Sequence, residues 1–469
     1  MQFSSSVFLI LFLPIIMGIY KIGGVLLGHK YKNFILLVAS LLFYAWGEPI
    51  FIFVLIMGII VNYLLGIKIE LNCQHGKFKK LYLTIAVVFN LGIFFVFKYL
   101  SFATRELSII TPVKVLDIAL PIGISFYTFQ IMSYIFDVYY DKVPAQKNAF
   151  DLALYISMFP QLVAGPIVRY SDIEREIHER DESIELFCQG THRFIIGLSK
   201  KVLIADFLGG ISDKIFISAE YSDIPMVTAW IGAIAYTFEI YYDFSGYSDM
   251  AIGLGNCFGF HFKENFNYPY ISCSVSEFWK RWHISLTDWF RDYVYIPLGG
   301  NRVSEHRHIM NLLTVWLLTG IWHGAEWTFI LWGIMYFVIQ LFEKKTGIIY
   351  RMPKLMGYAW TMIIVIIGWT IFRASNLHNA ATYLRCIMGI GNGITDENTI
   401  LYLNSALPVF TIAYVLSFPI LEMIKKKINN SILVRIGELF WLPLSAVLFG
   451  VCLLVIINGS YSPFIYFNF

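Results

Sequence analysis

The sequence contains little charge for its length. Asp, Glu, Lys and Arg make up 14% of its 469 residues, whereas a typical soluble domain carries about 25%. Hydrophobic residues make up 58%, and the mean hydropathy is +0.65. This scarcity of charge excludes an ordinary soluble globular protein, because so much apolar surface needs lipid as its solvent. The net charge of +3 is also too small to indicate binding to nucleic acid.

Several catalytic and metal-binding motifs are absent as well. The six cysteines form no C-x-x-C pair, which argues against a zinc site or a disulfide framework. The sequence has no P-loop, no G-x-S-x-G elbow, no H-E-x-x-H and no dinucleotide-binding glycine pattern. These absences remove the usual signatures of nucleotide hydrolases, serine hydrolases and zinc proteases. We therefore expect no bound metal and no permanently bound cofactor.

Long apolar runs recur along the whole chain. A membrane-spanning helix needs about 20 mostly apolar residues, and runs that approach this length follow one another from residue 4 to residue 458. The first, Val7–Tyr20, lacks the basic flank and cleavage site of a signal peptide, which favours a retained helix. We expect an all-α polytopic membrane protein with about 11 transmembrane helices, re-entrant segments and an interfacial amphipathic helix. Since no long polar linker or repeat interrupts the chain, residues 1–469 are predicted to form a single membrane-embedded domain.

The distribution of lysines favours one orientation in the membrane. Residues 1–6 contain no Lys or Arg, whereas three lysines lie within residues 21–32 and four within residues 68–80. Because basic loops stay in the cytoplasm, we expect the N-terminus to lie outside and these lysine-rich loops to lie inside.

Two segments depart from the pattern of apolar runs. Residues 169–185 are densely charged with both signs, which indicates a solvated surface helix or loop. In residues 274–298, Ser274 and Glu277 have the spacing of a helix-capping box, and aromatic residues then recur near helical spacing opposite a charged face. Such a Trp-rich amphipathic helix is predicted to lie in the lipid headgroup region and to end at Pro297.

His323 has surroundings unlike those of the other histidines. It lies in the apolar run Leu312–Phe342, whose only formal charge is Glu326, between glycines at positions 320 and 324. An ionisable group at membrane depth is expensive to bury and is therefore a functional candidate. Burial favours a neutral imidazole, which is able to accept a proton. A structural histidine that hydrogen-bonds between helices also fits this local sequence.

His283 lies on the predicted amphipathic helix, beside Lys280 and Arg281. Taken alone, it is typical of a lipid-headgroup contact. Its interest rises if that helix covers a cavity that reaches His323. The two basic neighbours fit contact with the phosphates of a donor, or snorkelling to lipid headgroups.

Three further segments mix polar residues with Gly or Pro in apolar surroundings. They are Phe159–Pro166, Tyr241–Asp249 and Asn267–Pro269. Non-helical backbone survives at membrane depth only where it is buried in protein or lines a cavity, so these segments are candidates for the walls of a polar cavity. Their candidate side chains are Gln161, Asp243, Asp249 and Asn267. The two aspartates fit ordinary loop positions equally well.

Four short stretches are dense in Trp, His, Arg and Gly. They are Phe278-Trp-Lys-Arg-Trp-His-Ile-Ser-Leu286, Trp289-Phe-Arg-Asp-Tyr293, Ile296-Pro-Leu-Gly-Gly-Asn-Arg302 and Trp322-His-Gly324. Together they resemble the signature of membrane-bound O-acyltransferases, in the bacterial branch that O-acetylates alginate, peptidoglycan or cellulose. Residues 120–126, 159–166, 242–249 and 464–469 also look like that branch, so the resemblance runs along the whole chain.

The resemblance implies a ring of tilted helices around a funnel or tunnel that crosses a bacterial cytoplasmic membrane. It implies that His323 is the catalytic histidine and that His283 is a second signature residue facing the same tunnel. Further tunnel candidates are Trp279, Lys280, Arg281, Trp282, Trp322, Gly324, Asp243, Asp249, Gln161 and Asn267. The implied donor is an acyl thioester such as acetyl-CoA, which enters from the cytoplasm. The implied partners are membrane lipid, a polysaccharide acceptor and an extracytoplasmic hydrolase-like (SGNH-type) acetyltransferase.

Three alternatives stay open at the level of sequence. A second branch of the family transfers D-alanine from a carrier protein toward teichoic acid and shares the Trp-His pair, although Tyr295–Arg302 looks more like the acetylation branch. A transporter or flippase of envelope precursors would also show many spans and an intramembrane histidine, but it is expected to show repeat symmetry. A scaffold for an envelope synthase would keep its function when His323 is replaced by Ala.

Overall fold

The computed structural model of the protein describes residues 1–73, 76–420, 423, 431–459 and 464–465. Within these ranges the regular secondary structure is helical, with no β-strand, which confirms the predicted all-α fold. The α-helices are α1 Leu13–Leu27, α2 His29–Gly47, α3 Ile52–Leu71, α4 Gly76–Lys98, α5 Leu100–Ser108, α6 Ile124–Tyr139, α7 Ala149–Ser157, α8 Phe159–Leu162, α9 Tyr170–His178, α10 Ile184–Ser199, α11 Asp206–Tyr221, α12 Met226–Cys257, α13 Val275–Arg281, α14 Ile284–Phe290, α15 Glu305–His323, α16 Trp327–Thr346, α17 Ile348–Arg351, α18 Lys354–Arg373, α19 Leu377–Ile387, α20 Glu397–Leu416 and α21 Ser431–Asn458. Shorter π-helical or 3-10 turns occupy Phe8–Phe12, Lys200–Ala205, Pro269–Ile271 and Arg291–Tyr295. Most of the family-like stretch 464–469 lies outside the described residues.

Six of the described helical segments are long and apolar enough to cross a membrane. They are Phe8–Leu27, Ile52–Leu71, Gly76–Lys98, Lys354–Arg373, Glu397–Leu416 and Phe440–Asn458. A helix of about 20 residues spans the roughly 30 Å hydrocarbon core of a bilayer. These helices therefore fit a multi-pass membrane protein. The total of about 11 spans and their arrangement around a tunnel stay predictions.

The chain forms two compact units. The first comprises Met1–Phe194 and Tyr247–Glu264, and the second comprises Ile195–Gly246 and Asn265–Phe469. Helix α12 belongs in part to each unit, because the chain passes from one to the other between Gly246 and Tyr247. The single membrane-embedded domain over residues 1–469 stays a prediction.

In the first unit, polar side chains join apolar helices. Asn62 of α3 and Asn90 of α4 are both buried, and their amides exchange two hydrogen bonds of 3.0 and 2.7 Å. Each amide also donates to the carbonyl oxygen four residues earlier in its own helix. Hydrogen bonds of this kind stabilise helix pairs in lipid, where the hydrophobic effect gives little driving force between helices.

The first unit also contains a network of ion pairs, here called the Arg180 cluster, formed by Tyr20, Lys21, Lys32, Arg180 and Glu182. Lys21 and Lys32 each place Nζ 3.0 Å from one oxygen of the Glu182 carboxylate. The Tyr20 hydroxyl donates to the other oxygen at 2.6 Å and accepts from Nη2 of Arg180 at 3.0 Å. The side chains of Arg180 and Glu182 are only 0% and 9% exposed. The charged segment 169–185 therefore starts with a helix, α9, and most of its residues are exposed or half-buried, as predicted, whereas the Arg180 side chain is buried.

In the second unit, α15 and α16 pack backbone against backbone. A Cβ atom at Gly320 would collide with the carbonyl oxygen of Phe329, and one at Gly333 would collide with the carbonyl oxygen of Trp316. Only glycine permits so close an approach of two helices. This packing sets the C-terminal end of α15, where His323 lies, against α16.

The segment Tyr241–Asp249 lies inside α12, a single helix of 32 residues. The prediction that this segment is non-helical is therefore wrong. The glycine that suggested a break, Gly246, instead allows close packing, because a Cβ there would lie 2.7 Å from the carbonyl oxygen of Gly197. The polar side chain of Asp243 is accommodated by an ion pair with Lys201 at 2.7 Å.

The predicted amphipathic helix 274–298 is two short helices, α13 and α14, followed by a π-helical turn. The chain breaks at His283, which adopts a left-handed conformation with φ 46° and ψ 54°. The aromatic rings are buried in protein rather than laid on headgroups, since Phe278 is 0% exposed and Trp289 is 3% exposed. Periodicity could not show the break, because the apolar spacing continues across it.

Candidate active site

Helix α13 begins at the predicted cap. The Ser274 hydroxyl oxygen accepts the N–H of Glu277 at 2.9 Å. The Glu277 carboxylate, however, accepts the N–H of Cys273 at 3.0 Å, one residue before the position that a capping box requires. The Glu277 side chain thus reaches back to the backbone of Cys273, whereas the sequence predicts a hydrogen bond to the backbone of Ser274.

Glu343, at the end of α16, binds the first turn of α13. Its carboxylate accepts the N–H of Val275 at 2.9 Å, the N–H of Ser276 at 3.2 Å and the indole N–H of Trp360 at 3.2 Å. A carboxylate at a helix N-terminus satisfies free N–H groups and complements the positive end of the helix dipole. Glu343 therefore anchors the helix that leads to His283.

Asn265 holds the turn between α13 and α14. Its main-chain oxygen accepts the N–H of Ile284 at 2.9 Å, and its Oδ1 accepts the N–H of Ser285 at 3.2 Å. The same Oδ1 lies 3.1 Å from Nδ1 of His283. A non-glycine residue in the left-handed region is uncommon, and these contacts fix both the backbone and the ring of His283.

Aromatic side chains enclose the His283 ring. The residue is 1% exposed. Its ring centroid lies 4.7 Å from that of Phe244 and 5.8 Å from that of Trp322, both edge to face. Burial lowers the pKa of His283 to about 3, because a poorly solvated environment disfavours the imidazolium. The ring is therefore neutral at physiological pH.

His323 ends α15 and is 3% exposed. Its ring centroid lies 5.0 Å from that of Trp322, 5.1 Å from that of Trp332 and 5.2 Å from that of Phe372. A Cβ atom at Gly324 would collide with the Phe329 ring. A larger residue at position 324 would therefore displace the Phe329 ring directly after His323.

Trp322 contacts both histidines and joins them into one site. We define the histidine cluster as His283, Trp322 and His323 with their ring neighbours Phe244, Trp332 and Phe372. Both histidine rings pack against the buried indole of Trp322, whereas their position on a common tunnel stays a prediction. That they act in catalysis stays a prediction.

Trp279 and Trp282, both predicted site residues, extend the aromatic wall. The ring of Trp279 lies 5.3 Å from that of Trp332, and the ring of Trp282 lies 4.8 Å from that of Trp369. Trp369 in turn lies 5.5 Å from Phe372. A wall of this kind excludes water and so strengthens electrostatic interactions inside the site.

Two polar candidates, Arg281 and Asn267, join helix α13 to the loop that precedes it. Arg281 pairs with Glu277 at 2.9 Å and donates through Nη1 to the carbonyl oxygen of Asn267 at 3.1 Å. The N–H of Asn267 donates to the Arg281 carbonyl oxygen at 2.9 Å. Lys280 and Asn267 are exposed. Arg281 and Asn267 thus have structural contacts, whereas Lys280 presents its ammonium group at the surface.

Asp243 lies in the second unit and is also held structurally. Lys201 Nζ lies 2.7 Å from one carboxylate oxygen, and the N–H of Ile465 donates to the other at 2.8 Å. Lys201 is in turn 2.7 Å from Asp206. These contacts tie α12 to the turn that precedes α11.

Gln161 and Asp249 belong to the first unit. Gln161 is fully buried and donates from Nε2 to the carbonyl oxygen of Tyr155. Asp249 pairs with Nη2 of Arg193 at 2.9 Å. Both side chains therefore have partners within the first unit, and their place on a tunnel wall stays a prediction.

Two residues that position the site, Asn265 and Glu343, were not predicted from the sequence. Asn265 lies two residues before Asn267 and resembles any loop amide, and Glu343 resembles a surface acid at the end of an apolar run. Only the fold shows their partners, which are distant in sequence. Among the described residues, no group of three or more His, Cys, Asp or Glu side chains is placed to share a metal ion.

The helices and the enclosed histidine pair define a multi-pass membrane protein with a candidate site for acid–base chemistry. The sequence model of the membrane-bound O-acyltransferase family matches residues 41–378. The chain therefore belongs to the membrane-bound O-acyltransferase family, and it is an acyltransferase.

Relatives with assigned names are similar to the chain over different lengths. A probable alginate O-acetylase, AlgI, from Pseudomonas putida is 39% identical and aligns over 100% of both chains. A peptidoglycan O-acetyltransferase from Helicobacter pylori is 31% identical over 100% of this chain and 97% of its own. A teichoic acid D-alanyltransferase from Bacillus subtilis is 29% identical over 55% of this chain and 70% of its own.

Proposed function

We propose that the protein moves an acetyl group from a cytoplasmic thioester donor to a hydroxyl group of an exported cell-envelope polysaccharide. Acetyl-CoA is the proposed donor, used as a substrate rather than as a bound cofactor. The acetyl group reaches the polysaccharide directly or through an extracytoplasmic hydrolase-like (SGNH-type) partner. The proposed location is the cytoplasmic membrane of a bacterial cell, with the N-terminus outside.

Full-length similarity to two O-acetylating enzymes carries this proposal. The chain aligns from end to end with relatives named for O-acetylation of alginate and of peptidoglycan. The D-alanyltransferase aligns with only 55% of the chain, which favours acetyl over D-alanyl transfer. The enclosed pair of His283 and His323 supports the proposed reaction, because imidazole is the commonest general base in proteins.

In the proposed reaction, the His323 imidazole acts as the general base. It takes the proton of an acceptor hydroxyl as the hydroxyl oxygen attacks the thioester carbonyl carbon. The tetrahedral intermediate expels the thiolate, which takes the proton back from the imidazolium and leaves as a free thiol. General-base assistance of this kind contributes about 10²–10⁴ in rate, and holding both reactants in a dry site contributes further through proximity.

His283 has two possible roles in this scheme. It either orients a hydroxyl of the acceptor or stabilises charge on the carbonyl oxygen. The exposed ammonium group of Lys280 is a candidate contact for donor phosphates, with lipid headgroups as the competing partner.

The test is the O-acetyl content of envelope polysaccharides from cells that carry the wild-type protein, His323→Ala, His306→Ala or no protein, at equal membrane levels. His306 lies on the same helix as His323 but is exposed, so it is the matched control. We expect acetylation to disappear in the null strain and in His323→Ala, and to persist in His306→Ala. The polymer that loses its acetyl groups identifies the acceptor.

Other outcomes would contradict the proposal in specific ways. If His323→Ala behaves as the wild type while the null strain loses acetylation, the protein is a scaffold and the catalytic assignment is wrong. If the null strain keeps all of its acetyl groups, D-alanine transfer or transport replaces acetylation as the function to test.

A further inference from the structure

We infer that Asn265 is a positioning residue that fixes His283 in one tautomer, with the proton on Nδ1 and the lone pair on Nε2. The geometry of this inference is independent of the reaction, whereas its catalytic consequence rests on the proposed function. Asn265, Ser285 and the turn at His283 all belong to the second unit.

The amide oxygen of Asn265, not its nitrogen, faces the His283 ring. The backbone N–H of Ser285 lies 3.2 Å from the same atom, and the Ser285 hydroxyl lies 2.9 Å from it. A backbone N–H can only donate, so its partner has to be an acceptor, and the amide NH₂ group is not one. The backbone N–H of Ser285 therefore determines which atom of the Asn265 amide is the oxygen. A contact with another side chain alone would not distinguish the amide oxygen from the nitrogen.

The acceptor settles the tautomer in turn. The Asn265 oxygen lies 3.1 Å from Nδ1 of His283, and an oxygen acceptor at this distance requires a proton on Nδ1. A neutral imidazole has a single N–H, so Nε2 carries the lone pair. Both residues are 1% exposed, which keeps bulk water from competing for the Asn265 oxygen.

The ring is also held in direction. The main-chain oxygen of Asn265 accepts the Ile284 N–H at 2.9 Å, so one residue fixes both the left-handed turn and the ring that it carries. Phe244 and Trp322 meet the ring edge to face at 4.7 and 5.8 Å. A strained backbone conformation that several contacts hold in place, as at His283, is typical of functional sites.

This tautomer decides between the two roles that His283 has in the proposed reaction. A neutral ring with a bare Nε2 accepts a hydrogen bond there and has no proton to offer to a carbonyl oxygen. His283 therefore orients the acceptor sugar by accepting the O–H of one hydroxyl group, while His323 takes the proton of the attacking hydroxyl. The two histidines thus divide the work of holding and of activating the acceptor.

Nitrogen NMR of the ¹⁵N-histidine-labelled protein in lipid bilayers tests the tautomer without any activity measurement. The His283 signals are identified by their loss in His283→Gln. We expect a protonated Nδ1 in the wild type, in Asn265→Asp, which keeps an oxygen acceptor, and in Ser285→Ala, which removes only a competing hydroxyl. Asn265→Ala is expected to give a mixture of tautomers.

Two NMR results would overturn the inference: an unprotonated Nδ1 in the wild type, or an unchanged tautomer in Asn265→Ala. If Asn265→Ala fails to assemble in the membrane, the wild-type spectrum still decides, because the inference requires a proton on Nδ1.

Kinetics then separate this inference from the proposed function. In Asn265→Ala we expect kcat for acetyl transfer to fall about 10²-fold, with the KM for the thioester donor unchanged. A purely structural defect would raise the donor KM as well, and that result would contradict the positioning role. If the tautomer is lost but the transfer rate equals that of the wild type, the tautomer assignment stands and the role of His283 in the reaction fails.

Discussion

The histidine cluster and the Arg180 cluster both bury ionisable groups, but they stabilise them in opposite ways. In the Arg180 cluster, opposite charges are paired: Lys21, Lys32 and Arg180 all lie close to the Glu182 carboxylate. In the histidine cluster, aromatic rings and one amide surround the imidazoles, and burial lowers the pKa of His283, which favours its neutral form. Ion pairs hold protons in place, whereas a neutral enclosed imidazole can exchange one. The first arrangement is suited to structure and the second to chemistry.

The largest expected effect is on turnover in the histidine cluster. Replacing His323 by Ala removes the proposed base, so we expect acetyl transfer by the purified protein to fall by about 10²–10⁴-fold. The unfolding temperature should fall as well, because the missing ring leaves a cavity among Trp322, Trp332 and Phe372, so turnover is compared per folded molecule. His306→Ala, on the same helix, should match the wild type in both measurements. If His323→Ala and His306→Ala transfer acetyl groups at the same rate, His323 is not the base and the histidine cluster is not the catalytic site.

The Arg180 cluster should respond in stability instead. Glu182→Gln leaves three cations without their carboxylate, and we expect the free energy of unfolding in detergent micelles to fall by about 3 kcal/mol. The exposed pair of Glu305 and Lys345 provides the control, because Glu305→Gln should change stability by no more than about 0.5 kcal/mol. Turnover per folded molecule should be unchanged in both variants. A catalytic defect in folded Glu182→Gln would show that the cluster does more than hold the fold.

A smaller effect is expected at Trp322, which touches both histidines. Trp322→Phe keeps an aromatic ring but shortens it, so both imidazoles gain freedom to shift. Because small misplacements of catalytic groups are costly in rate, we expect kcat to fall by about 10- to 100-fold. Trp46→Phe is the control, since Trp46 is 67% exposed in the first unit. If both variants turn over at the wild-type rate, the indole is not needed to hold the pair.

The smallest expected effect is a pH dependence of stability in the Arg180 cluster. Burial alone raises the pKa of Glu182, but hydrogen bonds from Tyr20, Lys21 and Lys32 outweigh it and hold the pKa below its ordinary value of 4.5. A lowered folded-state pKa stabilises the fold above the unfolded pKa, and this stabilisation is lost as the pH falls through the folded pKa. Thermal unfolding of the wild type should therefore shift to lower temperature below about pH 4.5. Glu182→Gln should show a flatter profile over the same range, and an equally steep one would assign the effect to other carboxylates.

The sequence was most informative where a local rule decides the structure. The Ser274 cap and the all-α class follow from capping chemistry and apolar run length. Joint motifs pointed to His283 and His323, because a family resemblance carries information about distant contacts that periodicity lacks. The packing of both rings against Trp322 agrees with that expectation.

The sequence was least informative where tertiary contacts override local pattern. The break at His283 depends on hydrogen bonds that Asn265 accepts, and no spacing rule connects these two residues. The helical course of Tyr241–Asp249 depends on Gly246 fitting against another backbone, so a glycine that reads as a helix breaker is a packing residue. The burial of Glu182 depends on lysines far away in the sequence, and a charge run alone cannot show such partners.

The central claim, that His283 and His323 act as one unit, is tested most directly by a double-mutant cycle. Single-turnover acetyl transfer is measured in proteoliposomes for the wild type, His283→Gln, His323→Gln and the double variant. Groups that act as a unit are strongly non-additive, so we predict that the double variant is about as slow as His323→Gln alone. Losses that multiply would show two independent contributions, and that result would contradict the account.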